Sequence, residues 1–327
     1  MDVYINGPQE RKESKELLLR IRDSVPKRFH IVNPNLEVDL YLAEKADVLI
    51  LRTDHYDDST WATIGMARAG KRVVIPYWNA TYSPVNRGFW ADVHGTSNKD
   101  LICNRYLVRD KNDKRNWPVE DIKDIFKDLR SLEHKSKWRK IRKEKPGKES
   151  VNLDLPWYIV GDSRGLENAW IFFEIEKCFN EAGIECLIPP KAIDGCYNIN
   201  EYPRRINMNA SNDSIQVCED LSSSRSGGLI GRSDPKFLLG SNWEKGVAWF
   251  NSKPILDLYM YLFPPRDPYQ SYLDRKKLSN FAASVYRQNE ELWGIRKHSD
   301  ETPEGLAGVI LTARNKNKKM LPKNGKN

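Results

Sequence analysis

A chain of 327 residues with 39% hydrophobic side chains and ten tryptophans holds material for two cores, since one domain usually takes about 100–200 residues. No stretch approaches the roughly 18 apolar residues of a membrane span, and Met1–Gly7 runs straight into a strand-like pattern with no leader ahead of it, so a cytoplasmic, non-membrane protein is expected. The net charge of +8 favours an acidic partner such as nucleotide or nucleic acid, but much of the excess sits in two runs, 134–148 and 314–326.

From the N-terminus the pattern alternates. Val3 to Asn6 is short and apolar, and Glu10 to Asp23 sets Leu17, Leu18, Leu19 and Ile21 on a charged background, a strand and then a helix. Phe29–Val32, helical Val38–Lys45, Val48–Leu51, helical Trp61–Ala69 and Val73–Pro76 follow. Strands separated by helices imply a doubly wound parallel sheet of the flavodoxin or Rossmann type, with ligands at the carboxyl ends of its strands. Those ends carry the loops around Gly7–Pro8, Asn33–Asn35 and Arg52–Ser59. A helical pattern after Pro118 degrades into the basic run HKSKWRKIRKEKPGK, which reads as a linker.

The opening pattern then returns. Tyr158-Ile159-Val160-Gly161 echoes Tyr4-Ile5-Asn6-Gly7, Trp170–Ala182 is an amphipathic helix, and Ile184–Ile188 is a strand. EDLSSSRSGGLIGRSD (219–234) falls on VDLYLAEKADVLILRTD (38–54) with one gap, and SNWEKGVAWFNSKPILDLY falls on TWATIGMARAGKRVVIPYW. The chain is read as a tandem repeat of one α/β unit, with an insertion around 192–216 in the second copy and a closing helix at Lys277–Trp293. The expected divisions are a first domain at 1–133, a basic linker at 134–152, a second domain at 153–310 and a basic tail at 311–327.

Five cysteines without CxxC spacing, Cys103, Cys178, Cys186, Cys196 and Cys218, read as reduced packing residues. His55, His134 and His298 stand apart, so no metal is expected. The run SSSRSGG (222–228) lacks the Lys-Ser/Thr of a phosphate loop and reads as a turn, while Arg204, Arg205, Arg225 and Arg232 are candidates for a phosphate or a nucleic-acid backbone. Glu244 is placed at a helix start beside the mouth of the second sheet, where the helix N-terminus favours a carboxylate. With Tyr158 and Asp220 it makes two carboxylates and a phenol on elements that converge on one cleft. Such a set suits displacement at an anomeric carbon without metal or cofactor.

GSNWEKGVA (240–248) followed by KPI (253–255), with YIVG (158–161) and EDL (219–221), resembles the nucleoside 2-deoxyribosyltransferase family and the related nucleotide N-glycosidases. The resemblance implies that Glu244 is the nucleophile, Tyr158 its orienter and Asp220 the acid that handles the base. Gly161, Arg232, Asp234, Gly240, Ser241 and Trp243 would line the substrate site. Leu238 stands where the family carries an aspartate, with Asp234 as the nearby substitute. In the first copy Tyr4, Gly7, Asp39 and Asp57 match, but Thr63 occupies the nucleophile's place, which implies a degenerate, catalytically silent pseudo-site.

The expected activity is therefore cleavage or transfer at the N-glycosidic bond of a (deoxy)nucleoside or nucleotide. The family's oligomeric habit implies a homo-oligomer, or an intrachain pseudo-dimer in which the first copy contributes to the second site. Two other readings stay open: a nucleotide-binding sensor or scaffold with both pockets impaired, and NAD cleavage by a glutamate placed as in TIR-like domains. Nucleic-acid contact through the basic linker and tail is a further possibility.

Overall fold

A computed structural model of the chain describes residues 1–7, 12–52, 58–79, 107–109, 123, 126–127, 142–161, 166–201, 212–232, 239–258 and 280–320. Two compact units divide it, Met1–Lys145 with Asn209–Ile215, and Pro146–Met208 with Gln216–Asn327.

The first unit runs β1 (Asp2–Asn6), α1 (Lys12–Ser24), β2 (His30–Ile31), α2 (Leu40–Lys45), β3 (Val48–Arg52), α3 (Asp58–Ala69), β4 (Val73–Asn79) and β5 (Leu107–Arg109). Its strands are all parallel, in the order β2-β1-β3-β4-β5. Alternation along the strands sorts the two faces. Val3, Ile5, Val48, Ile50, Val73 and Ile75 form one core with Leu18 and Ile21 of α1, whereas Tyr4 and Asn6 point to the opposite face.

The second unit runs β6 (Trp157–Val160), α4 (Leu166–Glu181), β7 (Cys186–Leu187), α5 (Pro189–Ala192), α6 (Asn212–Ser223, in this unit from Gln216 on), β8 (Leu229–Arg232), α7 (Leu239–Phe250), β9 (Ile255–Leu258), α8 (Asn280–Trp293), β10 (Ser299–Asp300) and α9 (Pro303–Met320). The order β7-β6-β8-β9-β10, again all parallel, repeats that of the first unit. Trp157, Ile159, Ile230, Leu256 and Leu258 pack on α4 and α9, leaving Tyr158, Gly231 and Asp257 on the other face. The chain is thus α/β, two tandem doubly wound parallel sheets. In each, the strand order reverses between the first and third strands of the unit, where such sheets form their ligand crevice.

The closing part of the chain differs from the sequence reading. The helix ending at Trp293 is not the last element: β10 adds a fifth strand and α9 runs on to Met320. The first ten residues of the expected basic tail, 311–320, are therefore helix. Leu306, Ala307, Ile310 and Ala313 bury one stripe of α9, and Arg314 donates from Nε to Leu153 O at 2.7 Å and from Nη2 to Leu155 O at 3.2 Å. A run of charge on the solvent side of an amphipathic helix looks, in composition, like a frayed tail. The C-terminal part of the expected linker is likewise built in: Arg142 donates to Asp47 Oδ1 at 2.7 Å and Lys143 N to Gly70 O at 3.0 Å. Residues 134–141 lie outside the described residues.

Candidate functional site

Tyr158 is the second residue of β6, and its buried side chain rises from the sheet toward α7. Its hydroxyl donates to Glu244 Oε1 at 2.8 Å. Glu244 is the sixth residue of α7, in the second turn, so the helix N-terminus does not account for it; Gly240 and Ser241 occupy the first turn rather than a preceding loop. The side chains of Ser241, Trp243 and Glu244 are all buried, with Glu244 6% exposed.

Burial pushes the Glu244 carboxyl up to about 7, against the pull of the Tyr158 hydroxyl and the nearby Cys218 thiol. Burial and the neighbouring carboxylate push the Tyr158 phenol well above its ordinary value, so it remains a donor throughout the neutral range. The Cys218 thiol, on α6 nearby, is raised by burial and by the Glu244 carboxylate. The trio Tyr158, Glu244 and Cys218 comes from β6, α7 and α6, on the sheet face away from the main core.

Asp220 does not join it. Cys218 and Asp220 are two positions apart on α6, which puts them on nearly opposite sides of the helix. Asp220 Oδ1 accepts instead from Gln216 Nε2 at 3.1 Å, one turn back on the exposed side. Sequence reasoning took Cys218 for a packing residue and Asp220 for the site acid. The usable signal was helical spacing, since Cys218 shares a stripe with Leu221 and Ser222, both fully buried.

Arg232 ends β8 beside the mouth, its guanidinium 5.3 Å from the Phe172 ring centroid and donating to Asn168 Oδ1 at 2.6 Å. Gly161, at the end of β6, makes this approach possible: a Cβ there would lie 3.0 Å from Arg232 Cβ and 3.1 Å from Phe172 Cζ. Next to Glu244, Lys245 Nζ meets Asp257 Oδ1 of β9 at 2.6 Å in a buried ion pair. Gly231 makes room for it, because a Cβ would come within 2.4 Å of Lys245 Cε and 2.5 Å of Asp257 Oδ1.

The first unit holds the same framework without the carboxylate. Tyr4 and Tyr158 pair in register with Leu49 and Leu229, which pair in turn with Val74 and Ile255. Thr63 stands as far before Val74 as Glu244 stands before Ile255, so the two are structural counterparts. Thr63 Oγ1 turns back to Ser59 O at 2.7 Å, within α3. The Tyr4 hydroxyl accepts from Asp39 N at 3.3 Å, and Asp39 caps α2 by accepting from Tyr41 N at 2.7 Å. Gly7 follows β1, its N–H donating to Asn6 Oδ1 at 2.7 Å.

Asp57, Asp234, Leu238, Arg204, Arg205, His55, His134 and Cys103 lie outside the described residues. Ser222 and Ser223 of the SSSRSGG run end α6, and the rest is a turn at the amino end of β8, away from the mouth: Gly227 and Gly228 pass close to Leu155 O and the Trp157 ring, and Ser226 O accepts from Lys253 Nζ. His298 stacks on Tyr286 with ring centroids 4.1 Å apart. Among the described residues no group of three or more His, Cys, Asp or Glu is arranged to hold a metal, and no helix is long and apolar enough to cross a membrane. An open cleft of about 770 Å³ lies elsewhere in the second unit, lined by Trp293, Arg296, Gly305, Gly308, Thr312 and Lys316, and no residue of the trio borders it. No protein-family model matches the chain, and no curated protein matches it.

Proposed function

We propose that the second unit cleaves or transfers at the N-glycosidic bond of a (deoxy)nucleoside or nucleotide, with Glu244 as nucleophile. The supporting observation is the buried hydrogen bond from the Tyr158 hydroxyl to Glu244 Oε1 at 2.8 Å. A fold gains little from a carboxylate held out of water without a cation at hand, whereas a nucleophile gains from being oriented and weakly solvated. A carboxyl held near pH 7 is largely ionised just above neutrality and poorly stabilised in that form, which favours attack.

In the first step a Glu244 oxygen bonds to C1′ while the C1′–N bond breaks, its electron pair leaving on the base, which then takes up a proton. In the second, water or another base bonds to C1′ and releases the carboxylate, losing its own proton. Tyr158 fixes the attacking oxygen and donates to the carboxylate again when it is released. Asp220, hydrogen-bonded to Gln216, does not stand beside the other two, so the acid for the departing base is assigned elsewhere. Gly161 and Arg232 shape the mouth, where a guanidinium resting on Phe172 suits an anionic group of the substrate. The resemblance to the 2-deoxyribosyltransferases is consistent with this chemistry. The first unit, with Thr63 in place of the glutamate, is read as silent.

The test is to incubate the full chain with deoxynucleosides, deoxynucleotides and NAD and to follow free base. Base release is expected from a (deoxy)nucleoside or nucleotide, rising as pH passes through about 7, and Glu244→Gln is expected to lower it by at least about a thousandfold. Release that survives Glu244→Gln removes the nucleophile assignment. Release of nicotinamide alone moves the reading to NAD, and binding without release moves it to a sensor.

A further inference from the structure

We propose that Lys245 and Asp257 are positioning residues for Glu244: their buried ion pair ties α7 to β9 and so fixes the roll of the helix that sets the Glu244 carboxylate against Tyr158. The functional meaning of the pair rests on the nucleophile reading, but its physical content concerns how α7 is held on the sheet.

Lys245 directly follows Glu244 on α7, so the two side chains leave the helix about 100° apart. They reach opposite ways. In the sheet β8 lies between β6 and β9, and α7 packs on β8 and β9. To one side Glu244 accepts from the Tyr158 hydroxyl of β6 at 2.8 Å; to the other Lys245 Nζ donates to Asp257 Oδ1 of β9 at 2.6 Å. Tyr158 is level with Leu229 and Ile255, so Asp257 stands two residues, about 7 Å, nearer the carboxyl ends of the strands on the same face. Gly231 of β8 clears the floor between: a Cβ there would lie 2.4 Å from Lys245 Cε and 2.5 Å from Asp257 Oδ1.

Apolar contacts are not directional, so a helix tied on one side and otherwise packed through them can roll slightly at little cost. A bonded ion pair on the other side is directional, and breaking it leaves a buried charge, so it resists that roll. The stake is large, because a misplacement of about 1 Å costs a positioned reacting group on the order of a hundredfold in rate. The first unit lacks both features. At the two positions its α3 carries Thr63, bonded to Ser59 O within the helix, and Ile64, over Leu51 and Pro76 of the sheet. No carboxylate there has to be aimed across the sheet, and no ion pair holds the helix.

The experiment reads the Tyr158–Glu244 bond in the full chain by carbon NMR of protein labelled at tyrosine Cζ, with Tyr158→Phe to assign the signal and Glu244→Ala to mark its position without the bond. Two double variants remove the pair and leave no buried charge, Lys245→Ile with Asp257→Val and Lys245→Met with Asp257→Asn. In either, the signal is expected to move at least about halfway to its Glu244→Ala position, and base release to fall about a hundredfold in kcat with KM within about twofold. Asp257→Asn alone keeps an acceptor for Lys245 and is expected to hold the signal near its wild-type position. A signal unmoved in folded double variants overturns the proposal, whatever happens to base release, since the pair then acts other than by aiming Glu244. So does a signal moved as far by Asp257→Asn as by the double variants, because the charge rather than the bond would be the cause. If neither double variant folds, the pair is required by the fold itself and the proposal falls. If the signal moves as stated but the wild type releases no base, the nucleophile reading fails while the positioning role stands.

Discussion

The two units share a strand order and a register, yet their sheet faces beneath α3 and α7 carry different chemistry. Where the second unit has Gly231, Lys245 and Asp257, the first has Leu51, Ile64 and Pro76; Leu51 pairs with Pro76 as Gly231 pairs with Asp257. Glu244 likewise replaces Thr63. The first unit forms its sheet with an apolar set and a hydroxyl satisfied inside its own helix, so the buried charges are not a requirement of the fold. Burying an ion pair and a carboxylate gains little stability over well-packed apolar side chains. On the proposed function, the copy that carries them is the active one. By contrast, a buried cation just before the fourth strand of each unit recurs. Arg72 donates to Glu44 O, Gly70 O and Lys143 O, and Lys253 donates to Ser226 O. Burial lowers the pair to about 10 and about 8. A feature kept in both copies and spent on backbone carbonyls is structural.

The comparison is tested most severely at Lys245. Lys245→Ile, the residue of the first unit, would leave Asp257 buried without its cation and is expected to cost about 3–5 kcal/mol in urea unfolding. Adding Asp257→Val is expected to recover most of that loss, because no charge is then left buried at the two positions. A single substitution that costs less than about 1 kcal/mol would mean that the second unit tolerates an unpaired Asp257, and the contrast between the units would lose its energetic basis.

Glu244 gives the next largest effect, opposite in sign. Its carboxyl is raised in the folded protein, from 4.5 to about 7. The neutral acid is thus favoured by folding; its contribution is complete below about pH 4.5 and is lost as pH rises to about 7 and beyond. At pH 8 the folded protein carries a charge that burial disfavours by an amount on the order of 3 kcal/mol. Glu244→Gln is therefore expected to melt higher than wild type at pH 8 and to lose that advantage by pH 4.5. A variant less stable than wild type at pH 8 would mean that the ionised glutamate supports the fold, which would weaken the case that it is kept for chemistry.

Much of this architecture was legible before any coordinates. The alternation of Val3 and Ile5 with Tyr4 and Asn6, and the return of YIVG after YING, carried the parallel sheet and its duplication. Tyr158 and Glu244 could be put in one cleft because strand ends and the following helices converge in such sheets. What failed was resolution along helices. Without a start for α6 at Asn212, the phase of that helix was unknown, and Asp220 was assigned to the cleft although its carboxylate accepts from Gln216 one turn back. Charge misled in the same way at 311–320, where the polar side of α9 hid the buried stripe of Leu306, Ile310 and Ala313. Glu244 was placed in a first turn because Gly240 and Ser241 looked like loop, whereas α7 already begins at Leu239.

The smallest expected effect falls on the first unit, and it is informative because it should be small. Thr63 is fully buried at the position equivalent to Glu244, and its hydroxyl donates only to Ser59 O, a carbonyl already within the α3 ladder. Thr63→Val keeps the shape and β-branching while removing one hydrogen bond whose acceptor retains its backbone partner. The loss should stay below about 1 kcal/mol, a shift of only a few degrees in melting temperature. If base release is established for the wild type, it should be unchanged in this variant, since the Tyr4 hydroxyl is engaged by Asp39 N rather than by Thr63. A large loss of base release with stability intact would give Thr63 a part in the chemistry, and the first unit could no longer be treated as the uncharged control for the second.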